Sequence, residues 1–410
     1  MKPEATPKVP AGANMMVLQS LIGLRSVVSY LVVFFIVASS ITFLFNRGQE
    51  AQVRMVVEHG HQETQVKVGE DEHHDQQLRG KEAEVQWRAD LQDSSEECNW
   101  STGRKDVMYQ HWRWQPNGCD LPRFNATKLL EKLRDKRLVF VGDSVNRNQW
   151  VSLVCMLEAS IPDNRLKARI FNDSLISFKA FEYNATIDFY WSPLLVESNS
   201  DNPIIHRVAY RIIRADRIEK HTSVWRDADI IVFNSYVWWR KQKNETMKVM
   251  YGSFEDGDER LDEVEMMDGF EIALKKMTEW LGENIDKNKT RIFFAGSSPT
   301  RLDRNKCLNE TEPIYKVGYK APTTDYSMMA KAKSHFVTLE KKGIHVQILN
   351  ITELSDYRKD GHPTVYRRQF VPLTKEQIAN PASYADCTHW CLPGVPDVWN
   401  EFLYGYLMYR

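Results

Sequence analysis

The chain has 410 residues, 42% hydrophobic and 27% charged, a composition that supports a folded core and excludes a disordered polymer. Its 54 basic and 55 acidic side chains leave a formal net charge of -1, so there is no electrostatic footprint for nucleic acid, and a neutral partner fits better than a polyanion. The length allows one large domain or two ordinary ones.

Residues 1–25 form a short head with Lys2, Lys8 and Arg25 against Glu4. Residues 26–45, SVVSYLVVFFIVASSITFLF, carry no charge, and Arg25 and Arg47 flank them. About 20 helical residues cross the roughly 30 Å hydrocarbon core of a bilayer. The apolar run continues past Ala38-Ser39-Ser40, which predicts an uncleaved signal anchor rather than a removed signal peptide. The basic head stays cytosolic, which sends the C-terminal part across the membrane. Asn-X-Ser/Thr sequons at Asn99, Asn125, Asn172, Asn184, Asn244, Asn288, Asn309 and Asn350 agree with a lumenal placement. An oxidising lumen makes Cys98, Cys119, Cys155, Cys307, Cys387 and Cys391 disulfide candidates, and six cysteines leave fifteen pairings open.

Residues 46–97 are rich in Gln, Glu and His and read as a polar stem. Its His59, His61, His73 and His74 are expected to be solvated rather than to hold a metal. From Cys98 the composition is globular. Brief β-branched or aromatic runs at 137–141, 229–233, 291–295 and 344–349 read as strands buried on both faces. Helical patterns at 146–157, 262–283 and 327–342 lie between or beside them. Strands alternating with helices predict an α/β domain built on a parallel sheet flanked by helices.

Two segments carry chemistry. In LVFVGDSVNRNQW (138–150) a strand ends in Gly142-Asp143-Ser144 and a helix begins, so Ser144 stands where strand ends present active groups and where a helix N-terminus offers free N–H groups to an oxyanion. An ordinary helix cap is the competing reading. In PASYADCTHWCLPGVPDVWN (381–400), Asp386 and His389 stand three apart, on one side of a helical turn or compact loop, where a carboxylate can orient an imidazole that takes a proton from a serine. A surface Asp with a satisfied His, or zinc held by Cys387, His389 and Cys391, are the alternatives.

Together with YQHWRWQPNGCDLPRFNA (109–126), FNSYVWW (233–239) and CLNETEPI (307–314), these blocks resemble the plant trichome birefringence-like family, a branch of the SGNH/GDSL acyl-hydrolase-like fold, across residues 98–410. The resemblance implies a family-specific segment at 98–136 and an SGNH-like core at 137–410. It further implies a single-pass type II Golgi membrane protein that O-acetylates wall polysaccharide. Ser144 would be the nucleophile, His389 the base and Asp386 its orienter. Asn234 would be an oxyanion donor by analogy with SGNH enzymes, and Gly142 and Arg147 are further oxyanion candidates. No bound cofactor and no metal are implied, only an acetyl donor as co-substrate.

Relatives carry a longer cysteine-rich stretch before the WRWQP block, so the pairing of Cys98, Cys119 and Cys155 does not carry over. Similarity points to xylan, at O-2 or O-3 of xylosyl residues, over mannan, xyloglucan or pectin. Trp238 and Trp239 are candidates for a glycan surface, as is Asn148 for facing the cleft. Trp112, Trp114, Trp150 and Trp191 are weaker candidates, since most Trp side chains belong to cores. An acetyl esterase and a non-catalytic glycan-binding protein are the rival functions.

Overall fold

The structure is a computed structural model describing residues 54–57, 103–115, 121–240, 246–252, 260–300, 307–316, 318–321, 324, 326–369 and 371–409. The expected head, the anchor at 26–45, most of the stem, and Cys98, Cys119, Asn99 and Asn244 lie outside these residues. Among the described residues no helix is long and apolar enough to cross a membrane.

Twelve strands run β1 (Arg54–Val57), β2 (Trp112–Gln115), β3 (Arg137–Gly142), β4 (Lys167–Asn172), β5 (Leu175–Ala180), β6 (Ala185–Trp191), β7 (Ile212–Arg214), β8 (Ile230–Asn234), β9 (Thr246–Tyr251), β10 (Arg260–Glu265), β11 (Arg291–Ala295) and β12 (Val346–Leu349) among the described residues. The helices are α1 (Ala126–Lys132), α2 (Ser144–Glu158), α3 (Glu219–Trp225), α4 (Met266–Asn284), α5 (Ser327–Lys341), α6 (Thr352–Asp356), α7 (Lys375–Ala379) and α8 (Val395–Tyr409).

A seven-stranded sheet in the order β12-β11-β8-β3-β6-β5-β4 forms the centre. Its first five strands are parallel, while β5 and β4 add an antiparallel flank. The strands are apolar on both faces because both faces are covered. Leu138 and Phe140 of β3 join Ile230, Val232 and Phe293 in a core under α1, α2 and α8. Val139 and Val141 point the other way, into a core with Ile231, Phe233, Phe294 and the apolar faces of α4 and α5. A smaller sheet, β10-β9-β7, packs against the second core through Met247, Val249 and Ile213.

The expected strands are found with shifts of a residue or two at their ends. Three differences stand out. The pattern at 262–283 is not one helix: Arg260–Glu265 pairs with β9, and α4 begins at Met266. In RLDEVE only Asp262 and Val264, two apart and so on one face, are half-buried, while the other four residues are exposed, as suits a strand at a sheet edge. The strands from β4 to β7 and β9 were not anticipated. Within the expected stem, Arg54–Val57, an apolar run in a polar segment, pairs antiparallel with Trp112–Gln115.

The chain order makes β3 the switch point. Its neighbours β6 and β8 follow it in sequence on opposite sides, so connections diverge and leave a crevice at the carboxyl end of β3. Gly142 sits there in register with Trp191 on one side and Asn234 on the other.

Candidate active site

The turn from β3 into α2 is built from three residues. A Cβ at Gly142 would lie 1.8 Å from the Asn234 carbonyl oxygen, so only glycine lets β3 and β8 approach this closely. Asp143 caps α2. Its carboxyl accepts from the Val145 amide at 2.9 Å, which satisfies a helix-end donor. The other oxygen accepts from the amides of Val237 (3.1 Å) and Tyr236 (3.4 Å), which ties the turn to the segment leaving β8. Burial pushes Asp143 above the ordinary carboxylate range, against the pull of these N–H groups. Ser144 follows as the first residue of α2, half-buried.

The second half of the site comes from an irregular loop. Asp386 forms a two-residue bridge with Thr364 through reciprocal amide-carbonyl bonds of 3.0 and 2.8 Å. Its Oδ1 accepts from the amides of Thr388 and His389, both at 3.0 Å, which folds the Asp-x-x-His spacing into a compact turn. Cys307–Cys387 anchors this turn to a segment 80 residues away. Asn148 of α2 holds the next residue at both backbone ends: its Oδ1 accepts from Trp390 N at 2.8 Å, and its Nδ2 donates to Trp390 O at 3.2 Å. His362 Nδ1 donates to the His389 carbonyl at 2.8 Å and stacks its ring on Trp390.

The two halves meet at His389. Its Nε2 lies 2.7 Å from Ser144 Oγ, and its Nδ1 lies 2.8 Å from Asp386 Oδ2. An ionised carboxylate only accepts, so Nδ1 carries the hydrogen and Nε2 is left to accept from the serine hydroxyl. Burial alone would raise the Asp386 pKa. The facing His389, with its amide and Arg367 at 3.5 Å, outweighs burial and holds the carboxyl well below the usual range. Asp386 is therefore a carboxylate at neutral pH.

The other expected residues fall in different places. Asn234 ends β8 fully buried beside Gly142, and neither of its side-chain amide atoms has a hydrogen-bond partner. Arg147 is half-buried one turn into α2, its amide donating to Asp143 O. Asn148, expected to face the cleft, is instead fully buried and spends its amide on Trp390. Trp239, expected at a glycan surface, is fully buried against Phe270 with its Nε1 donating to Ser235. Trp238 is half-buried, and Trp150 belongs to the core.

Cys155 is disulfide-bonded to a residue outside those described. Cys391 is a buried thiol that takes a 3.6 Å hydrogen bond from Arg104, not a disulfide half. With Cys387 in a disulfide, the zinc reading loses a ligand, and no cluster of metal-binding side chains occurs among the described residues. The six sequon asparagines that lie among those residues are all exposed. Sequence reasoning missed Asn148 as a support, and also His362, Thr364 and Arg367. Nothing in their local sequence marks them.

An α/β sheet that presents a serine at its switch point, hydrogen-bonded to a histidine and through it to an aspartate, is the architecture of serine-type acyl enzymes. Comparison with known families agrees. The model of the PC-esterase family, described as a GDSL/SGNH-like acyl-esterase family found in Pmr5 and Cas1p, matches residues 121–406, and the chain belongs to that family. It is 63% identical to xylan O-acetyltransferase 13 of Oryza sativa subsp. japonica, over all of this chain and 93% of that protein. Xylan O-acetyltransferase 12 of the same plant is also 63% identical, over all of this chain and 92% of its own. Protein trichome birefringence-like 34 of Arabidopsis thaliana is 51% identical over 75% of this chain and 76% of its own.

Proposed function

We propose that the protein is a polysaccharide O-acetyltransferase that acetylates xylan by double displacement through Ser144. The observation that carries this reading is the hydrogen-bonded chain Ser144–His389–Asp386 at the switch point. The high identity to proteins named xylan O-acetyltransferases supports the acceptor.

In the first half, His389 Nε2 takes the proton as Ser144 Oγ attacks the acetyl carbonyl of the donor, and Asp386 stabilises the imidazolium. The oxyanion donors in this reading are the Ser144 amide, at the start of α2, and the Asn234 side-chain amide, whose lack of a partner among the described residues supports the assignment. Collapse leaves acetyl-Ser144 and returns the proton to the departing donor group. In the second half, a xylosyl hydroxyl gives its proton to His389 and attacks the acetyl carbon. Ser144 then leaves and recovers that proton. No metal or cofactor enters this scheme. Gly142 acts by permitting the close approach of β3 and β8.

Hydrolysis is the second reading, since the matched family is described as an acyl-esterase family and water can replace the sugar hydroxyl. The proposed setting is the Golgi lumen, with residues 26–45 as a type II anchor. The Cys307–Cys387 disulfide and the exposed sequons support an oxidising, glycosylating compartment.

The test supplies the full chain with an acetyl donor and unacetylated xylo-oligosaccharide and follows the products by mass spectrometry. Acetylated oligosaccharide from the wild type, and a loss of at least about a thousandfold in Ser144→Ala, is the expected result. Free acetate without acetylated sugar establishes the esterase. Equal activity in Ser144→Ala removes the nucleophile assignment.

A further inference from the structure

The proposed chemistry uses the carboxyl end of β3, but the neighbouring strand ends carry a second feature. Trp191, the last residue of β6, is in register with Gly142, and Trp238 follows Asn234 four residues past the end of β8. Their ring centroids lie 5.8 Å apart, edge to face. The segment between β6 and β7 brings in His206, 5.1 Å from Trp191 and 5.5 Å from Trp238. Trp191 is only 5% exposed, whereas Trp238 and His206 are half-buried, so the cluster meets solvent through these two. The same segment continues outward through Ile205, 71% exposed, and Tyr210, 69% exposed.

The chemistry of His206 is defined by its contacts. Its Nδ1 lies 2.7 Å from the Pro203 carbonyl, which can only accept, so Nδ1 carries the hydrogen. Burial lowers the pKa of the ring and keeps it neutral at neutral pH, which leaves a lone pair on Nε2. No described residue donates to that nitrogen. Arg211 braces Trp238, its guanidinium 5.0 Å from the ring centre and its Nη1 donating to the Trp238 carbonyl at 2.6 Å.

A flat apolar ring beside a neutral hydrogen-bond acceptor matches a neutral pyranose. The C–H face of the sugar packs on the indole, and a hydroxyl donates to the imidazole. A uronate would need a cation aimed at its carboxylate: Arg211 is engaged with Trp238, and the exposed Arg207 next to His206 makes the oligogalacturonide the discriminating ligand in the test. We infer that Trp238 and His206 form an acceptor-sugar subsite beside Ser144, with Trp191 as its floor, that binds a neutral pyranose of the glycan backbone. Its assignment to a xylosyl residue rests on the xylan reading given above.

Binding without turnover tests this. The full chain carrying Ser144→Ala is titrated with xylohexaose, mannohexaose and an oligogalacturonide by isothermal calorimetry. The same titrations are run with Trp238→Ala, Trp238→Phe or His206→Ala added, each checked for an unchanged melting temperature. Trp238→Ala is expected to weaken xylohexaose binding about tenfold, with Trp238→Phe and His206→Ala weakening it less. Unchanged affinity in folded Trp238→Ala and His206→Ala proteins overturns the subsite and leaves the xylan reading standing. Binding of mannohexaose but not xylohexaose, lost in the same variants, keeps the subsite and overturns xylan as the acceptor. Preference for the oligogalacturonide, or no binding of any neutral oligosaccharide, overturns the subsite.

Discussion

The turn that carries Ser144 and the loop that carries His389 reach the same point by different physical means. The turn is regular structure: a strand in the middle of the sheet ends, an Asp caps the next helix, and Ser144 takes its position from backbone geometry. The loop has almost no regular structure of its own. It is held by a disulfide, a two-residue bridge with Thr364, and side chains that reach its backbone from α2 and from residue 362. A turn made this way depends on few residues, each of them irreplaceable. A loop held this way spreads the same task over many groups, each of moderate worth.

Substitutions sharpen that contrast. The largest effect is expected for Gly142→Ala, whose new methyl would meet the Asn234 carbonyl at 1.8 Å. The central strands would have to part, costing about 3 kcal/mol or more, and denaturant unfolding would show it. If Gly142→Ala were tolerated, the regular turn would be less constrained than its geometry indicates.

On the loop side, Cys307→Ser combined with Cys387→Ser opens a cross-link of sequence separation 80. The expected loss is about 2–4 kcal/mol, read as a lower melting temperature, with the residual activity of the folded fraction depending on how well the other supports hold His389. Full activity at low temperature would mean that Asn148 and His362 suffice.

Asn148→Ala removes two hydrogen bonds and leaves the buried Trp390 amide and carbonyl unpaired, a cost of about 2 kcal/mol. As a positioning residue, Asn148 should affect kcat more than KM, about tenfold or more, because the loop then holds His389 less firmly against Ser144. A change in stability with kcat intact would reduce Asn148 to a packing role.

The smallest effect joins the two regions. Asp397 of α8 accepts from Ser152 of α2 and from the amide of Gly394, just past the base loop. Burial raises its pKa to about 6, only partly offset by these two donors. In the unfolded chain an aspartate titrates near 3.9. Between about pH 4 and 6 the folded state therefore binds more protons than the unfolded state, so this group makes stability fall as pH rises through that window and level off above it. Asp397→Asn should flatten that slope, by on the order of 1–2 kcal/mol across the window, in melting curves taken from pH 4 to 7. An unchanged slope would place the titrating group elsewhere.

Much of this was legible in the sequence, for identifiable reasons. The β3 and β8 strands announced themselves as short apolar runs because both sheet faces are covered, and that same pattern fixes which residues enter each core. The Gly-Asp-Ser turn was readable because Asp143 caps a helix that begins at the next residue, whereas the contact that makes glycine obligatory at 142, the Asn234 carbonyl across the sheet, was not. The Asp-x-x-His spacing was readable because Asp386 binds the amides of residues two and three positions later. By contrast, the flank β4–β5 was not anticipated, since β4 is half-exposed and both strands mix polar residues with apolar ones. Trp238 and Trp239 are adjacent and identical in type, yet one reaches solvent and the other is core.

The sequence by itself determined the short apolar strands at the centre of the sheet, because both their faces are covered, and the cap before Ser144 and the compact turn from Asp386 to His389, because these two rest on contacts within a few residues. Only the tertiary structure decided that His389 meets Ser144 across 245 positions, that Asn148 serves the loop rather than a ligand, and that Cys387 pairs with Cys307 while Cys391 stays a thiol. Those outcomes follow from which strand ends lie side by side in the sheet, and a residue's own type and neighbours do not encode what the packing sets against it.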